Sequence, residues 1–219
     1  MAIKLYANDA TGIADVHDLY APYSTTIDLR LALFPWARFR KHNAAVKMHA
    51  LLDLHGSIPT FIRITKGKVH DVKVLDEIAI EAGAFYVLDR GYTDFERLYR
   101  FTLESAFFVV RTKTNVLLER RYSRPVDKTT GLRSGHTVIL TSRASATAYS
   151  DPLRRVAYCA PETGKRLKFL ANNFTLPPLG IAEIYKKRWA VEQFFRWIKQ
   201  HLRIKAFYET SENAVKTQI

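Results

Sequence analysis

Short hydrophobic runs dominate the first half of the chain and predict strands. Residues Ser24 to Leu31 are β-branched and roughly alternate between apolar and polar positions, as in a half-buried strand. The runs 45–54 and 58–65 flank a His-Gly-Ser turn and together predict a hairpin. Short buried strands are predicted at 84–88 and 107–111. The first half of the chain therefore carries the strands of a sheet.

Apolar residues spaced three and four apart predict three helices. One covers 71–83, and a second runs from a cap at Thr93 or Asp94 to Leu103. A long third helix is predicted over about 179–203, after a Pro-Pro pair. An antiparallel meander followed by strand–helix–strand units predicts an α/β fold, a mixed sheet with flanking helices.

Residues 112–178 differ from the segments on either side. They hold short β-like runs separated by Gly, Ser, Pro and charged clusters, which predicts a β-rich insertion. The expected organisation is therefore a first part of a catalytic domain at 1–111, the insertion at 112–178, and a terminal helical region at 179–219.

Charge and composition narrow the function. The 219 residues contain 34 Lys and Arg against 21 Asp and Glu, a formal net charge of +13. The excess is concentrated at 23–70, 107–178 and 179–219, while 71–106 is acidic. This distribution favours a polyanionic partner such as nucleic acid over a merely solvated surface. A single cysteine excludes a disulfide scaffold, and no apolar run is long enough to span a membrane.

The predicted terminal helix carries an unusual line of polar side chains. At 100° per residue, Tyr185, Arg188, Glu192 and Lys199 fall within about 60° of one another, beside an apolar stripe. A simple alternative is surface ion pairing between Arg188 and Glu192 at i, i+4. Trp197 lies on another side of the helix and is a candidate for contact with DNA or another domain.

Asp89 is a second acidic candidate. It follows a hydrophobic strand and precedes a glycine turn, where open α/β sheets place ligands. The common alternative is a turn or helix cap. If Asp89 and Glu192 came together, the carboxylate pair would suit divalent cations, which prefer hard oxygen ligands.

The spacing Tyr-x2-Arg-x3-Glu-x6-Lys, from Tyr185 to Lys199, resembles the Y-R-E-K signature of bacterial DDE transposases of the insertion-sequence-four type. Four further blocks resemble the same family in the same order, so the resemblance covers essentially the whole chain. They are Leu33–Arg40, Val69–Asp71, Asp89–Tyr92 and Ser211–Ala214.

This resemblance implies a ribonuclease-H-like fold with a β insertion before the last catalytic helix. It implies that Asp89 and Glu192 are catalytic acids and metal ligands, and that Tyr185, Arg188 and Lys199 hold a DNA phosphate. The implied cofactor is Mg²⁺ in a two-metal site, with Mn²⁺ as substitute. The implied partners are double-stranded DNA of transposon ends and target, and a second copy in a synaptic homodimer. The expected location is the bacterial cytoplasm, at the nucleoid, with no membrane partner.

The chain departs from the family pattern at one decisive position. The family has an Asp immediately before Ser-Thr-Thr-Ile, and here that residue is Tyr23. Asp28 lies five positions further on, so in a regular strand it faces the opposite side of the sheet. We therefore expect a transposase with impaired cleavage, truncated at both ends relative to full-length relatives. The alternatives are a catalytically dead DNA-binding remnant and a ribonuclease-H-like nuclease that hydrolyses without joining.

Overall fold

The computed structural model describes residues 13, 16–41, 43–201 and 209–218, apart from the side chains of Lys199, His201 and Gln218. Within these residues the strands are β1 (Leu19–Leu29), β2 (Ala44–Asp53), β3 (Ile58–Lys66), β4 (Phe85–Leu88), β5 (Phe107–Arg111), β6 (Leu118–Arg124), β7 (Leu132–Leu140), β8 (Leu153–Cys159) and β9 (Arg166–Ala171). The helices are α1 (Phe95–Leu103), α2 (Arg143–Ala148), α3 (Pro178–Lys187), α4 (Trp189–His201) and α5 (Glu212–Gln218).

The chain forms two compact units. The first unit comprises Met1–Tyr20 and Ala79–Arg188, and the second comprises Ala21–Ile78 and Trp189–Ile219. Strand β1 begins in the first unit and continues in the second. The α/β class predicted from the sequence is confirmed, because each unit combines strands with helices. The domain boundaries at 111 and 178 remain predictions.

The first unit is built on a mixed sheet in the order β4-β5-β9-β8-β7-β6. Strands β4 and β5 are parallel, and Leu19 and Tyr20 of β1 pair in parallel with β4. The remaining neighbours are antiparallel. All four residues of β4 are buried, as expected for a parallel strand covered on both faces. The strands of the predicted insertion thus continue the sheet formed by β4 and β5.

Aromatic side chains fill the core of the first unit. Phe101 of α1 packs against Tyr86 and Phe108 with ring centroids 4.8 Å and 6.4 Å apart. Tyr149 contacts Phe108 edge-on at 6.1 Å. Helix α1 is fixed by its cap, because the Asp94 carboxylate accepts a hydrogen bond from the backbone N–H of Arg97. The cap predicted at Thr93 or Asp94 is therefore Asp94.

The second unit contains the sheet order β3-β2-β1. The hairpin predicted from the sequence is confirmed, since β2 and β3 pair antiparallel across the His-Gly-Ser turn. Seven of the ten residues of β2 are hydrophobic, the exceptions being Lys47, His49 and Asp53, and most residues of the strand are buried. A core cluster links this hairpin region to α5 through Val215; its other members are Leu29, Phe34, Ala37, Ala44 and Val46.

The helix predicted over 71–83 is wrong. The structure has only a short 3-10 helix, Asp71–Asp76, in the second unit. Further along, in the first unit, the Tyr86 hydroxyl donates to the carbonyl of Ala79 and accepts from the backbone N–H of Glu81. The hydrogen bonds of these backbone groups are made by a side chain and not by a helical neighbour. The apolar residues spaced three and four apart therefore pack from an irregular segment.

The single long helix predicted over 179–203 is also wrong. Helix α3 ends at Lys187 and α4 begins at Trp189, with Arg188 between them. The backbone N–H of Arg188 donates to the carbonyl of Tyr185 at 3.1 Å, which closes a tighter turn than an α-helix makes. The angular alignment of Tyr185 with Glu192 and Lys199 assumed an unbroken helix, so across this break it remains a prediction.

No helix in the described parts of the chain is long and apolar enough to cross a membrane.

Candidate active site

Asp89 lies where the sequence predicts it, at the carboxyl end of β4. It is partly buried and directly precedes a 3-10 turn, Arg90–Tyr92. Its carbonyl accepts a hydrogen bond from the backbone N–H of Tyr92, but its side chain does not cap the turn. The Asp89 carboxylate therefore does not act as a cap, and it is available for another partner.

That partner is the hydroxyl of Tyr185. The phenol donates a hydrogen bond to Asp89 Oδ1 at 3.3 Å, across 96 residues of sequence. Tyr185 lies on α3, which packs over β5 and β9. Its ring lies against buried Phe169 of β9, with centroids 4.5 Å apart. Packing on Phe169 thus fixes the phenol while its hydroxyl reaches the strand-end carboxylate.

The surroundings of Tyr185 keep its phenol protonated. Burial raises the pKa of Tyr185 to about 12, and the negative charge of Asp89 adds to that effect. The guanidinium groups of Arg188 and Arg111 act in the opposite direction on the same pKa. The phenol therefore remains a hydrogen-bond donor at neutral pH, and two cations lie close enough to influence it.

Arg111 belongs to this cluster, and the sequence analysis did not identify it. Leu88 pairs with Val110 in the parallel register of β4 and β5, so the next residues, Asp89 and Arg111, are neighbours at the same edge. The predicted strand ended at Arg111, and the carboxyl ends of parallel strands meet at one edge of a sheet. This rule, applied to the predicted strand pair, could have identified Arg111.

The first unit thus contains a site formed by Asp89, Arg111, Tyr185 and Arg188, which we call the carboxylate–phenol site. Arg188 is 7% exposed, so its guanidinium is largely removed from water. One carboxylate, one phenol and two guanidinium groups carry a net positive charge. Such an arrangement suits an anionic ligand more than a cation.

Tyr23 has a different environment, in the second unit. It is partly buried in β1, and its ring stacks on Phe195 of α4 with centroids 4.3 Å apart and planes inclined by 18°. Phe195 itself is 1% exposed. Asp28, further along the same continuous strand, is exposed. We call the Tyr23–Phe195 pair the aromatic stack.

The remaining predicted site residues lie in α4. Glu192 is partly buried in the first turn of α4, and the side chain of Lys199 lies outside the described part of the structure. Glu192 belongs to the second unit and Asp89 to the first. Their pairing, and the phosphate contact expected of Lys199, remain predictions.

Comparison with known proteins decides the family. The model of the transposase DDE domain matches residues 9–219 of this chain. The chain belongs to the DDE transposase family. Two curated relatives are a putative transposase of Sinorhizobium fredii, 34% identical over 189 residues, and a probable insertion-sequence transposase of Geobacillus stearothermophilus, 32% identical over 198 residues.

The DDE transposase spans about half the length of these curated relatives. The matches cover 84% and 90% of this chain and 52% of each relative. Among solved structures, a piggyBac transposase synaptic complex with hairpin DNA is 11% identical, with a TM-score of 0.44, and the match covers 90% of this chain and 47% of that one.

DDE transposases generally use divalent metal ions, which bind most readily to carboxylate oxygens. A phenol has a pKa of about 10 and is a poor ligand for hard cations at neutral pH. No group of three or more His, Cys, Asp and Glu side chains among the described residues could hold a metal ion. The carboxylate–phenol site offers one carboxylate, that of Asp89, beside a neutral phenol that two guanidinium groups influence, and this donor set by itself does not fit a two-cation site.

Proposed function

We propose that this chain is part of a bacterial insertion-sequence transposase that holds DNA but is impaired in metal-dependent cleavage. The aromatic stack carries the proposal. At the position where the family has its first acid, the ring of Tyr23 lies 4.3 Å from that of Phe195. A packed ring supplies neither the charge nor the oxygen donors that a hard cation needs.

The family ancestry extends the proposal to fold and site. We assign the chain to the insertion-sequence-four type, with a ribonuclease-H-like catalytic domain and a Y-R-E-K signature. In this assignment Asp89 and Glu192 are the two retained catalytic acids, and Tyr185, Arg188 and Lys199 contact a DNA phosphate. The net positive carboxylate–phenol site supports the phosphate contact, since Tyr185 donates a hydrogen bond and Arg188 supplies a desolvated cation.

The same assignment specifies the DNA, the protein partner and the metal of the ancestral enzyme. The DNA would be the double-stranded ends of the mobile element and a target duplex, held by two copies of the protein in a synaptic complex at the nucleoid. For the ancestral enzyme the metal would be Mg²⁺, replaceable by Mn²⁺. The net charge of +13 supports DNA as the partner, because phosphate contacts dominate such affinity.

Cleavage and metal binding are tested together with a Tyr23→Asp variant. We expect the native chain to give no Mg²⁺- or Mn²⁺-dependent nicking of double-stranded DNA carrying element ends. Tyr23→Asp restores a carboxylate and should bind Mn²⁺ more tightly, because carboxylate oxygens are preferred ligands. Thermal melting measures this directly, as a larger rise in Tm on adding Mn²⁺ for the variant than for the native chain.

Tyr23→Phe is the matched control, since it keeps the ring and removes only the hydroxyl. Its melting temperature should respond to Mn²⁺ as the native protein does. Metal-dependent nicking by the native chain that disappears in Asp28→Ala would show that Asp28 has replaced the lost acid, and the proposal would then fail. Nicking without joining of a 3′-OH end would instead favour the nuclease alternative.

A further inference from the structure

A basic cleft borders the carboxylate–phenol site in the first unit. It has a volume of about 770 Å³ and lies among the turn after Asp89, the segment following β5, and the strands β8 and β9. Arg90 connects it to the site, because this residue directly follows Asp89. Six cationic side chains line the cleft, and the described lining residues include no carboxylate; the cations are Arg90, Arg111, Lys113, Arg155, Arg166 and Lys168.

Strand register aligns three of these cations on one face of the sheet. Arg166 and Lys168 are two residues apart on β9, so they project from the same face. Arg155 of β8 pairs with Leu170, which continues the same row of β9. The positive charge of the basic cleft is therefore an ordered feature of the sheet rather than a product of flexible loops.

Among the described residues, the charges in the basic cleft have no acidic partners. Across the described ranges, Arg90, Arg111, Arg155, Arg166 and Lys168 make no ion pair, and Lys113 donates only to the carbonyl of Thr93, at 3.3 Å. Nearby, burial and the charges of Arg120 and Arg155 lower the pKa of His136. Like charges held together repel and destabilise the fold, and a polyanionic ligand removes that cost.

We propose that the basic cleft binds the sugar–phosphate chain of single-stranded nucleic acid, without regard to base sequence. Its volume is that of a ligand pocket and admits a segment of one strand rather than a duplex. Thr114 and Asn115 add neutral donors that suit phosphate oxygens. Because no aromatic side chain is among the described lining residues, the contacts are to the backbone and not to stacked bases.

The basic cleft adjoins the phosphate contact of the proposed function but can be tested apart from it. Among the described lining residues, the cleft shares Arg111 with the carboxylate–phenol site but includes neither Tyr185 nor Arg188, and the binding measured here needs neither metal nor cleavage. If the native chain proved to cleave DNA, the proposed function would fail but this inference would not be affected. Conversely, a basic cleft that binds nothing would leave the role of Tyr23 unchanged.

The test is the affinity of the full chain for a fluorescent single-stranded DNA of about 12 nucleotides. The triple variant Arg155→Gln, Arg166→Gln, Lys168→Gln should bind about tenfold more weakly or worse at low salt. The slope of its log binding constant against log salt concentration should be shallower by about 2, as expected for three lost single-strand contacts. A control triple, Lys128→Gln, Arg133→Gln, Arg143→Gln, removes equal charge from exposed positions of the same unit and should change affinity less than about threefold.

A second measurement uses the native chain, so it does not depend on whether the cleft variant folds. In the native chain, the single strand should protect Lys113 and Lys168 from acetylation, read by mass spectrometry, while exposed Lys128 remains reactive. Equal loss of affinity in both triple variants, or equal protection of Lys128, would overturn the proposal. Tighter binding of duplex than of single strand, with the same dependence on the cleft residues, would overturn the assignment to a single strand.

Discussion

The carboxylate–phenol site and the aromatic stack place different kinds of interaction at two strand positions. At Asp89 a partly buried carboxylate accepts a hydrogen bond from a phenol, and the guanidinium groups of Arg111 and Arg188 lie close enough to influence that phenol. At Tyr23 a phenol ring contributes hydrophobic area by stacking on a buried phenylalanine. The first site holds groups that interact with charge, whereas the second is a packing contact between two rings.

Under the proposed assignment of position 23 to the first acid of the family, this difference shows how a catalytic position can become a structural one. A carboxylate at the first acidic position would need a cation or water to offset its desolvation. A tyrosine there needs only a neighbour of suitable shape, and Phe195 provides it. Under that assignment, replacement of the acid lowers the chemical capacity of the site while adding contact area to the second unit.

The largest effect that sharpens this comparison should come from Phe195→Ala. Removing a fully buried phenylalanine costs about 3–5 kcal/mol, because the lost contacts and the cavity add. Tyr23 would lose its stacking partner at the same time. The free energy of unfolding should therefore fall by that amount, measured by urea titration.

Phe195→Leu serves as the control for this prediction. It retains apolar volume but cannot stack, so it should cost less than half as much as alanine. If alanine and leucine destabilised equally, stacking rather than cavity formation would dominate. If neither lowered stability by more than about 1 kcal/mol, the aromatic stack would not be a packing element and the comparison would fail.

The next effect is the loss of folding stability at acidic pH, which we expect to arise in the second unit. His49 of β2 is fully buried, its Nε2 lies 2.9 Å from Thr65 Oγ1, and burial lowers the pKa of His49 to about 4. The unfolded imidazole has a pKa of about 6.5, so protons favour the unfolded chain. Stability is full above pH 6.5 and is lost as the pH falls toward 4, by at most about 3 kcal/mol.

Urea titrations at pH 7 and pH 5 measure this loss. His49→Gln should flatten the pH dependence, because glutamine keeps a polar contact with Thr65 but does not titrate. His17→Gln removes an exposed imidazole and should leave the dependence as in the native chain. Equal slopes for all three proteins would show that other groups cause the acid sensitivity.

A smaller effect is expected at the carboxylate–phenol site. Tyr185→Phe keeps the ring against Phe169 and removes only the hydrogen bond to Asp89. A net loss of about 1 kcal/mol follows, as for a typical intramolecular hydrogen bond. Because the pKa of Tyr185 is raised to about 12, native stability should also decline between pH 10 and 12, and the variant should lack that decline. A cost as large as that of Phe195→Ala would mean that both sites are packing elements.

Local sequence patterns predicted the parts of the fold that short-range physics determines. The β2–β3 hairpin and the cap of α1 at Asp94 follow from alternation and from turn and cap residues. The break at Arg188 could not be predicted in this way, because apolar spacing continues from Ile184 to Phe195 and no Gly or Pro interrupts it.

The candidate site was predictable only in part, for a similar reason. Asp89 could be identified from its strand and turn, whereas its contact with Tyr185 depends on tertiary packing across 96 residues. The stack of Tyr23 on Phe195 also joins distant segments. The sequence predicts the loss of an acid at position 23 but not what the replacing ring contacts.

The smallest stability effect is expected at Trp197, two residues from Phe195 on the same helix. Trp197 is 55% exposed, so Trp197→Ser should change the free energy of unfolding by less than about 0.5 kcal/mol. An exposed tryptophan on a basic protein can still stack on a nucleobase, which is worth about 1–3 kcal/mol per base. The variant should therefore bind element-end DNA several-fold more weakly while melting like the native chain. Trp197→Phe keeps an aromatic face and should retain most of the affinity. A stability loss approaching that of Phe195→Ala would show that both faces of α4 are structural, and it would remove Trp197 as a contact for DNA.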